Sequence, residues 1–479
     1  MWYSRLSFVF YSAMKKVFFI FFLTSFLFHA KAQQSDSAVI KSIYNEILTN
    51  GASYQWLDDL ANGIGGRLSG SPQAAAAVTW AKQVMDTLGL DSVWLQPVMV
   101  PHWVRGEKEI ATIISPNVQG SRSVNITALG NSVGTGKNGL TAEVVEVSHM
   151  DEIAMLGKEK IKDKIVFINI KMDPTNINAF DSYGKAATNR YRGAGEAAKY
   201  GAKAMVIRTV SNTINDHPHT GSMGYPDDTS IARIPGVAIS TRDAELLSDL
   251  LKQDKKLRLY IRTTSQMLPD VLSYNVIGEI KGATLPDEIV VVGAHLDAWD
   301  NGDGAHDDGA GCVQSMEVLR VYKALGIRPE RTVRAVLFMN EENGLRGGKK
   351  YAEVAAQENS RHIAAIESDA GGFSPRGFSI DDTITVVQQI QQYKPLFAPY
   401  LADRIVKGFG GADINPMKPQ GTVVIGLNPD TQRYFEYHHA ATDKFSEVNQ
   451  RELELGAAAM ASLAYLLAKY GIEKNISKP

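Results

Sequence analysis

The stretch IVVVGAHLDAWDNGDGAHDDGAG, residues 289–311, decides the fold class of this chain. It begins with a β-branched apolar run, residues 289–292, of the kind found in strands that are covered on both faces of a sheet. After Gly293 the sequence turns at once to imidazoles and carboxylates, and in open α/β sheets ligands bind at this carboxyl end of the strands. We therefore predict an α/β fold with a cluster of polar ligands at one edge of the sheet. The polar residues of this stretch are His295, Asp297, Asp300, Asp303, His306, Asp307 and Asp308.

Three later stretches repeat the pattern of an apolar run followed by acids or imidazoles. Strands that alternate with helices predict a mostly parallel mixed sheet flanked by helices. Each later cluster alone fits a helix cap or a solvated pair, but their recurrence at one sheet edge indicates a metal site. The clusters are Glu341 and Glu342 after residues 332–339, Asp369 after residues 363–366, and His438 and His439 after residues 422–425.

The chain of 479 residues is too long for one ordinary hydrophobic core. We expect a signal peptide over residues 1–32 and a catalytic domain formed by residues 33–124 and 271–479. The short strands and helices of residues 125–270 predict a compact inserted α/β domain. Because it carries no His/Asp/Glu cluster, we expect a lid or recognition domain, with the loop HPHTG at 217–221 structural or facing the substrate.

The N-terminus has the pattern of a secretory signal. Lys15 and Lys16 precede the apolar run 17–28, and Ala30-Lys31-Ala32 fits a small-x-small cleavage site before Gln33. An uncleaved membrane anchor is the alternative. Cleavage leaves 46 basic and 52 acidic residues, because four basic residues and no acid are removed, so the formal charge moves from -2 to -6. This balance gives no electrostatic case for nucleic-acid binding. We expect a secreted or periplasmic protein without a stable membrane span.

Composition and cysteine usage narrow the class further. With 44% hydrophobic and 21% charged residues, the chain is typical of a soluble globular protein. Its single cysteine, Cys312, excludes an intramolecular disulfide and is expected to be a small core residue.

The ligand types favour zinc chemistry. Two imidazoles and several carboxylates without a thiolate suit a pair of zinc ions. Such a pair needs one carboxylate shared between the ions and one non-ligating acid or base beside the attacking water. Adjacent residues beyond a strand point in different directions, so Glu341 and Glu342 can divide these two roles.

The order of these motifs resembles that of the co-catalytic zinc aminopeptidase and glutamate carboxypeptidase family, from about residue 40 to the C-terminus. The inserted domain resembles a protease-associated domain, with Gly193-Ala-Gly-Glu-Ala197 and Pro218-His-Thr-Gly221 as its matching segments. The matching catalytic motifs are His295-x-Asp297, Asp307-Asp308-Gly309, Glu341-Glu342, Glu367-Ser368-Asp369 and His438-His439-x-x-x-Asp443.

The resemblance implies a di-zinc exopeptidase acting on dipeptides or short peptides through a metal-bridging water. It implies that Glu341 is the general base and that Asp297 hydrogen-bonds His295 and fixes its tautomer. It favours His439 over His438 as a ligand, because the family motif places an Asp four residues later. It further implies a cis peptide at Asp307–Asp308. The implied metal ligands are His295 and Asp369 on one ion, Glu342 and His439 on the other, and Asp307 between them.

Two other functions use the same fold. A glutaminyl-cyclase-like transferase would bind one zinc ion, but such proteins resemble only the catalytic half and do not keep Asp-Asp after the bridging position. A receptor-like binding protein would have lost ligands, whereas every position is intact here. The resemblance also makes a homodimer plausible. The motifs leave open whether the specificity is that of an aminopeptidase, a carboxypeptidase or a dipeptidase.

Overall fold

The computed structural model describes residues 36–115, 121–358 and 360–474. The predicted signal peptide lies outside these residues. Within them, no helix combines the length and the apolar character needed to cross a bilayer.

The described chain alternates between helices and strands as the sequence indicates. The α-helices are α1 (residues 36–50), α2 (Ser53–Ala61), α3 (Pro72–Thr87), α4 (Asp151–Ile161), α5 (Phe180–Lys199), α6 (Thr241–Gln253), α7 (Ala310–Leu325), α8 (Arg346–Ala355), α9 (Ile384–Gln391), α10 (Lys394–Phe397), α11 (Tyr434–Tyr437) and α12 (Gln450–Tyr470). The strands are β1 (Ser92–Val104), β2 (Ile110–Ile114), β3 (Ser121–Val124), β4 (Ile126–Ala128), β5 (Leu140–Val147), β6 (Ile165–Ile168), β7 (Ala204–Arg208), β8 (Gly236–Ile239), β9 (Arg258–Arg262), β10 (Gln266–Ile280), β11 (Leu285–His295), β12 (Arg331–Phe338), β13 (Arg361–Glu367), β14 (Pro375–Asp381), β15 (Arg404–Lys407) and β16 (Val423–Pro429).

The first sheet has the order β1-β10-β12-β11-β13-β16-β14-β15. Its centre, β12-β11-β13-β16, is parallel, and antiparallel pairs join β1 to β10, β10 to β12 and β14 to β16. The run 289–292 lies in β11 and is buried on both faces, which confirms the α/β prediction. The helices α2, α3, α7 and α12 cover one face, while α8 packs on the other.

The second sheet has the order β3-β2-β9-β5-β6-β7-β8-β4, with a parallel centre of β5 to β8. Residues of α4 and α5 pack on one face and residues of α6 on the other. This sheet also takes in β2 and β3, which precede residue 125, because β2 pairs antiparallel with β9. That pairing joins segments far apart in sequence and has no local signal.

Candidate metal centre

The carboxyl ends of the central parallel strands bring the predicted residues together. His295 ends β11, and the acids that follow β12 and β13 lie at the same edge of the sheet, because His295 pairs in register with Phe338 and Gly293 with Glu367. The loop after α11 supplies His438 and His439 from the side of the second sheet. The sequence-predicted cluster therefore forms in three dimensions.

Asp307 lies between the two imidazoles. Its Oδ1 is 3.2 Å from Nε2 of His295, and its Oδ2 is 3.4 Å from Nε2 of His439. Asp369 Oδ1 lies 3.5 Å from the same nitrogen of His295, and Glu342 Oε2 lies 3.2 Å from that of His439. Bonds of about 2.0 Å around a tetrahedral zinc ion place neighbouring ligands about 3.3 Å apart. The donor separations are therefore those of ligands around a zinc ion.

Unpaired buried oxygens also fit a cation here. Asp307 Oδ2 and Glu342 Oε1 are buried without a hydrogen-bond partner among the described residues. Burial, followed by the charge of Asp307, raises the pKa of Glu342 well above its usual range. Buried carboxylates gathered this closely destabilise one another unless a cation balances them. The nitrogen and oxygen donors suit zinc. The nearby Cys312 supplies no thiolate to the site, because burial raises the pKa of its thiol and the thiol donates a hydrogen bond to the main-chain oxygen of His295.

The main chain of Asp297, rather than its carboxylate, fixes the tautomer of His295. Its Nδ1 lies 2.8 Å from the main-chain oxygen of Asp297 and 4.0 Å from the carboxylate of that residue. Since a carbonyl can only accept, Nδ1 carries a proton, which leaves Nε2, the nitrogen that faces Asp307 and Asp369, as the atom that would bind an ion. The Asp297 carboxylate instead accepts the main-chain N–H groups of Asn340 and Glu341, at 2.6 and 3.0 Å. Asp297 thus positions both His295 and the Glu-Glu segment.

The adjacent Glu341 and Glu342 differ in exposure, as their proposed division of roles requires. Glu342 is buried beside His439, whereas Glu341 is partly exposed. Burial raises the pKa of Glu341 to about 8, and the charges of Asp369 and Asp297 act in the same direction. A partly exposed carboxylate with a raised pKa beside this cluster can accept and release a proton.

The two adjacent histidines are distinguished by their contacts. Their rings stack with centroids 3.6 Å apart, but only His439 approaches Glu342, while His438 Nε2 lies 4.0 Å from Asp307. Asp443 accepts the main-chain N–H groups of His306 and Asp307, at 2.7 and 3.1 Å, so it holds the segment that carries Asp307.

Structural contacts account for the remaining polar residues, of which His362 lies at the amino end of β13, away from the metal centre. The peptide bond between Asp307 and Asp308 is cis, as the resemblance implies. Both oxygens of Asp308 accept main-chain N–H groups, from His295 at 3.1 Å and Gly311 at 3.0 Å. The ring of His306 stacks against Phe373 and Tyr437, and His362 is hydrogen-bonded to Tyr351.

The second sheet unit contributes residues that sequence reasoning missed. Thr220 donates its main-chain N–H to the oxygen of His439 at 2.9 Å, and Arg190 on α5 lies 3.4 Å from His439 Nδ1. The rings of Phe180 and Tyr183 pack against Phe435, in the short helix that precedes the histidines. Only the HPHTG loop had been singled out from sequence, since lone arginines and aromatics carry no spacing signal.

A parallel-centred α/β sheet that gathers two imidazoles and several carboxylates at its carboxyl edge defines a metal-dependent hydrolase. Residues 275–464 match peptidase family M28. Carboxypeptidase Q from Bos taurus is 34% identical over 435 residues, which cover 90% of this chain and 89% of the relative. The chain belongs to peptidase family M28, and it is a metallopeptidase. The family predicted from the motifs is thereby confirmed.

Solved structures agree with this assignment. The crystal structure of a peptidase M28 precursor from Shewanella amazonensis SB2B superposes with a TM-score of 0.86 at 33% identity, over 93% of this chain and 99% of that one. The zinc aminopeptidase BSAP from Bacillus subtilis has a TM-score of 0.62 at 20% identity, over 89% of this chain and 96% of that one, and shows the same fold.

Proposed function

We propose that this chain is an exported di-zinc metallo-exopeptidase that hydrolyses dipeptides and other short peptides, with Glu341 as the general base. One observation carries the proposal: Asp307 directs one oxygen at His295 and the other at His439. A carboxylate between two ligand sets is what a pair of ions requires. The similarity to carboxypeptidase Q supports an exopeptidase.

Each of the other residues has a role that its contacts support. His295 and Asp369 would hold one zinc ion and Glu342 and His439 the other. When bound, the ions polarise the scissile carbonyl and make water more acidic. Glu341 then takes a proton from the attacking water and delivers it to the leaving amine nitrogen. Asp297 orients this base by accepting its main-chain N–H.

The second sheet unit supports a preference for short peptides. Its Thr220 and Arg190 lie against the His439 loop, so the unit encloses the metal centre on that side. We infer that it is a protease-associated-like domain inserted into the catalytic domain, as the motif resemblance implies. Export rests on the pattern of residues 1–32, and N-terminal sequencing of the mature protein should find a start near Gln33.

The function is tested by zinc content and hydrolysis of an unblocked dipeptide panel. We compare the wild type, Glu341→Gln and the control Glu353→Gln, whose side chain is exposed on α8 and pairs with Lys350. Two zinc ions are expected in all three proteins, with activity reduced at least about 100-fold only in Glu341→Gln, because a general base contributes roughly 10²–10⁴-fold.

Other outcomes would replace the proposal. One zinc ion with cyclisation of N-terminal glutamine would establish the cyclase-like transferase. No zinc and no hydrolysis would establish the receptor-like protein. Two zinc ions with hydrolysis of larger peptides alone would overturn the proposed preference for short peptides.

A further inference from the structure

The turn that carries Glu341 is held in a strained backbone conformation. Asn340, directly before the proposed base, has a φ of 75°, and Leu345, at the end of the turn, has a φ of 56°. Both angles lie in the left-handed region that residues other than glycine rarely adopt. Such conformations persist only where the surroundings hold them in place, and they are concentrated at active sites. The contacts that hold this turn therefore bear on the position of Glu341.

Asn343 is the centre of a hydrogen-bonded group of side chains inside the turn. Its Oδ1 accepts from Asn340 Nδ2 at 2.5 Å and from Ser69 Oγ at 3.0 Å. Asn340 Nδ2 also donates to the Ser69 hydroxyl at 2.8 Å, and all three residues are buried. Because two donors meet Oδ1 of Asn343, the orientation of this amide is fixed, and its Nδ2 is left to donate to a different partner.

That partner is Asn131, which belongs to the second sheet unit. Asn343 Nδ2 donates to Asn131 Oδ1 at 3.2 Å, and Asn131 Nδ2 lies 3.5 Å from the main-chain oxygen of Asn343. The same Nδ2 donates to Ser222 Oγ at 3.4 Å, within the second unit. Asn131 itself has a φ of 69°, a conformation that asparagine tolerates better than most residues do. The two amides thus join the second unit to the turn across 212 positions of the chain.

The two glutamates of the turn are held in different ways. The Glu342 side chain is buried beside His439, which fixes it from outside the turn. Among the described residues, by contrast, no group donates a hydrogen bond to the Glu341 carboxylate, and its contacts are made by the main chain. Its N–H donates to Asp297 Oδ1 at 3.0 Å, and its oxygen accepts from the Gly344 N–H at 3.3 Å. The direction of the Glu341 side chain therefore depends on the backbone of the turn.

We propose that Asn131 is a positioning residue for the general base, acting through Asn343 on the turn that carries Glu341. The inference rests on the proposed function and adds that the second sheet unit takes part in placing the base. Glu341 is then correctly aimed at the attacking water only while the second unit is docked against the turn. A misplacement of about 1 Å, caused by a change remote from the reacting atoms, can lower a rate by about 10²-fold. Loss of the Asn131 amide should therefore lower kcat.

The test measures zinc content, kcat and KM for alanyl-leucine in the full-length wild type and in Asn131→Gly, which removes the amide and accepts the same φ without strain. The matched control is Asp163→Gly, because Asp163 lies in the second unit with a φ of 61° and an exposed side chain. Asn131→Gly should keep two zinc ions and an unchanged KM, while its kcat falls about 10- to 100-fold. The control should match the wild type. Asn131→Asp, which keeps an acceptor for Asn343, should lose less kcat than Asn131→Gly.

Two altered backgrounds show whether the effect passes through Asn343 and Glu341. In Asn343→Ala, which already lacks the partner amide, Asn131→Gly should lower kcat by less than about twofold further, because residues that act through one contact are not additive. In Glu341→Gln, Asn131→Gly should leave the residual rate unchanged. Thermal unfolding of the metal-free proteins gives a measurement without catalysis. There, Asn131→Gly should lower Tm less in Asn343→Ala than in the wild type, and this comparison cancels the relief of backbone strain at position 131.

Other results would overturn the proposal. An unchanged kcat in Asn131→Gly excludes the positioning role, and a raised KM alone means that Asn131 only holds the second unit over the substrate. Loss of zinc means that it acts on Glu342 instead. If Asn131→Gly fails to fold, Asn131→Ser, whose side chain is one atom shorter, replaces it under the same criteria. If the wild type hydrolyses no dipeptide, the proposed function fails, and the Tm comparison still decides whether Asn131 and Asn343 act together.

Discussion

Replacing Arg67 by methionine should lower the free energy of unfolding, because Arg67 holds the loop between His295 and Asp307 in place. Arg67 is fully buried between α2 and α3, and its guanidinium donates to four main-chain oxygens. Methionine has a similar length but no donor, so these oxygens lose their partner. Hydrogen bonds of charged groups contribute about 1.5–3 kcal/mol each, and three are short, so the loss is at least about 4.5 kcal/mol. Removing a buried charge offsets part of this, which leaves roughly 3–4 kcal/mol. The four acceptors are Leu296 at 2.7 Å, Asp303 at 2.9 Å, Gly304 at 2.9 Å and Gly65 at 3.3 Å.

Urea unfolding in the presence of EDTA measures this change without a contribution from metal binding. The control Arg451→Met removes an exposed arginine from the start of α12 and should alter the free energy of unfolding by less than about 0.5 kcal/mol. Arg67→Lys should fall between the wild type and Arg67→Met, because an ammonium group reaches fewer of the oxygens. A loss below about 1 kcal/mol in Arg67→Met would refute the reasoning.

Two further predictions concern stability. Gly311→Ala should destabilise the fold by about 1–3 kcal/mol in thermal unfolding, because a Cβ would lie 1.9 Å from the Ser368 oxygen. The control is Gly184→Ala in α5, where an added Cβ would meet no atom within 4 Å, and it should be neutral or stabilise the fold by about 0.5–1 kcal/mol. Equal losses of stability in Gly311→Ala and Gly184→Ala would contradict the steric argument. Burial lowers the pKa of His362 to about 3. The neutral ring therefore makes its full contribution to the free energy of unfolding above the pKa that His362 has in the unfolded chain, and this contribution is lost as the pH falls. Between pH 7 and 5 the free energy of unfolding should fall by about 2 kcal/mol through this residue. The variant His362→Gln keeps an acceptor for Tyr351 and cannot take up a proton, so its free energy of unfolding should fall by about 2 kcal/mol less over the same pH range.

The candidate site could be predicted from the sequence because its residues follow locally recognisable strands. The runs before His295, Glu341 and Asp369 form parallel neighbours, and the ends of parallel neighbours meet at one edge. The flanking strands were harder to anticipate. In β1 and β10 the pairing depends on partners more than 150 positions apart, such as Ser92 with Glu279, and no short pattern records it.

By itself, then, the sequence determined the α/β class, the family and the cluster of imidazoles and carboxylates, because these depend on local hydrophobic runs and on motif order. Tertiary structure alone decided how the cluster is held. It directs the Asp297 carboxylate to the main chain of Glu341, buries Arg67 among the carbonyls of the metal-site loop, and brings Arg190 to His439 across 249 positions. These contacts join residues that are remote in the chain and unremarkable in composition. The first two contacts arise when distant segments of the first sheet unit fold together, and only the contact between Arg190 and His439 depends on the packing of the second unit against the first.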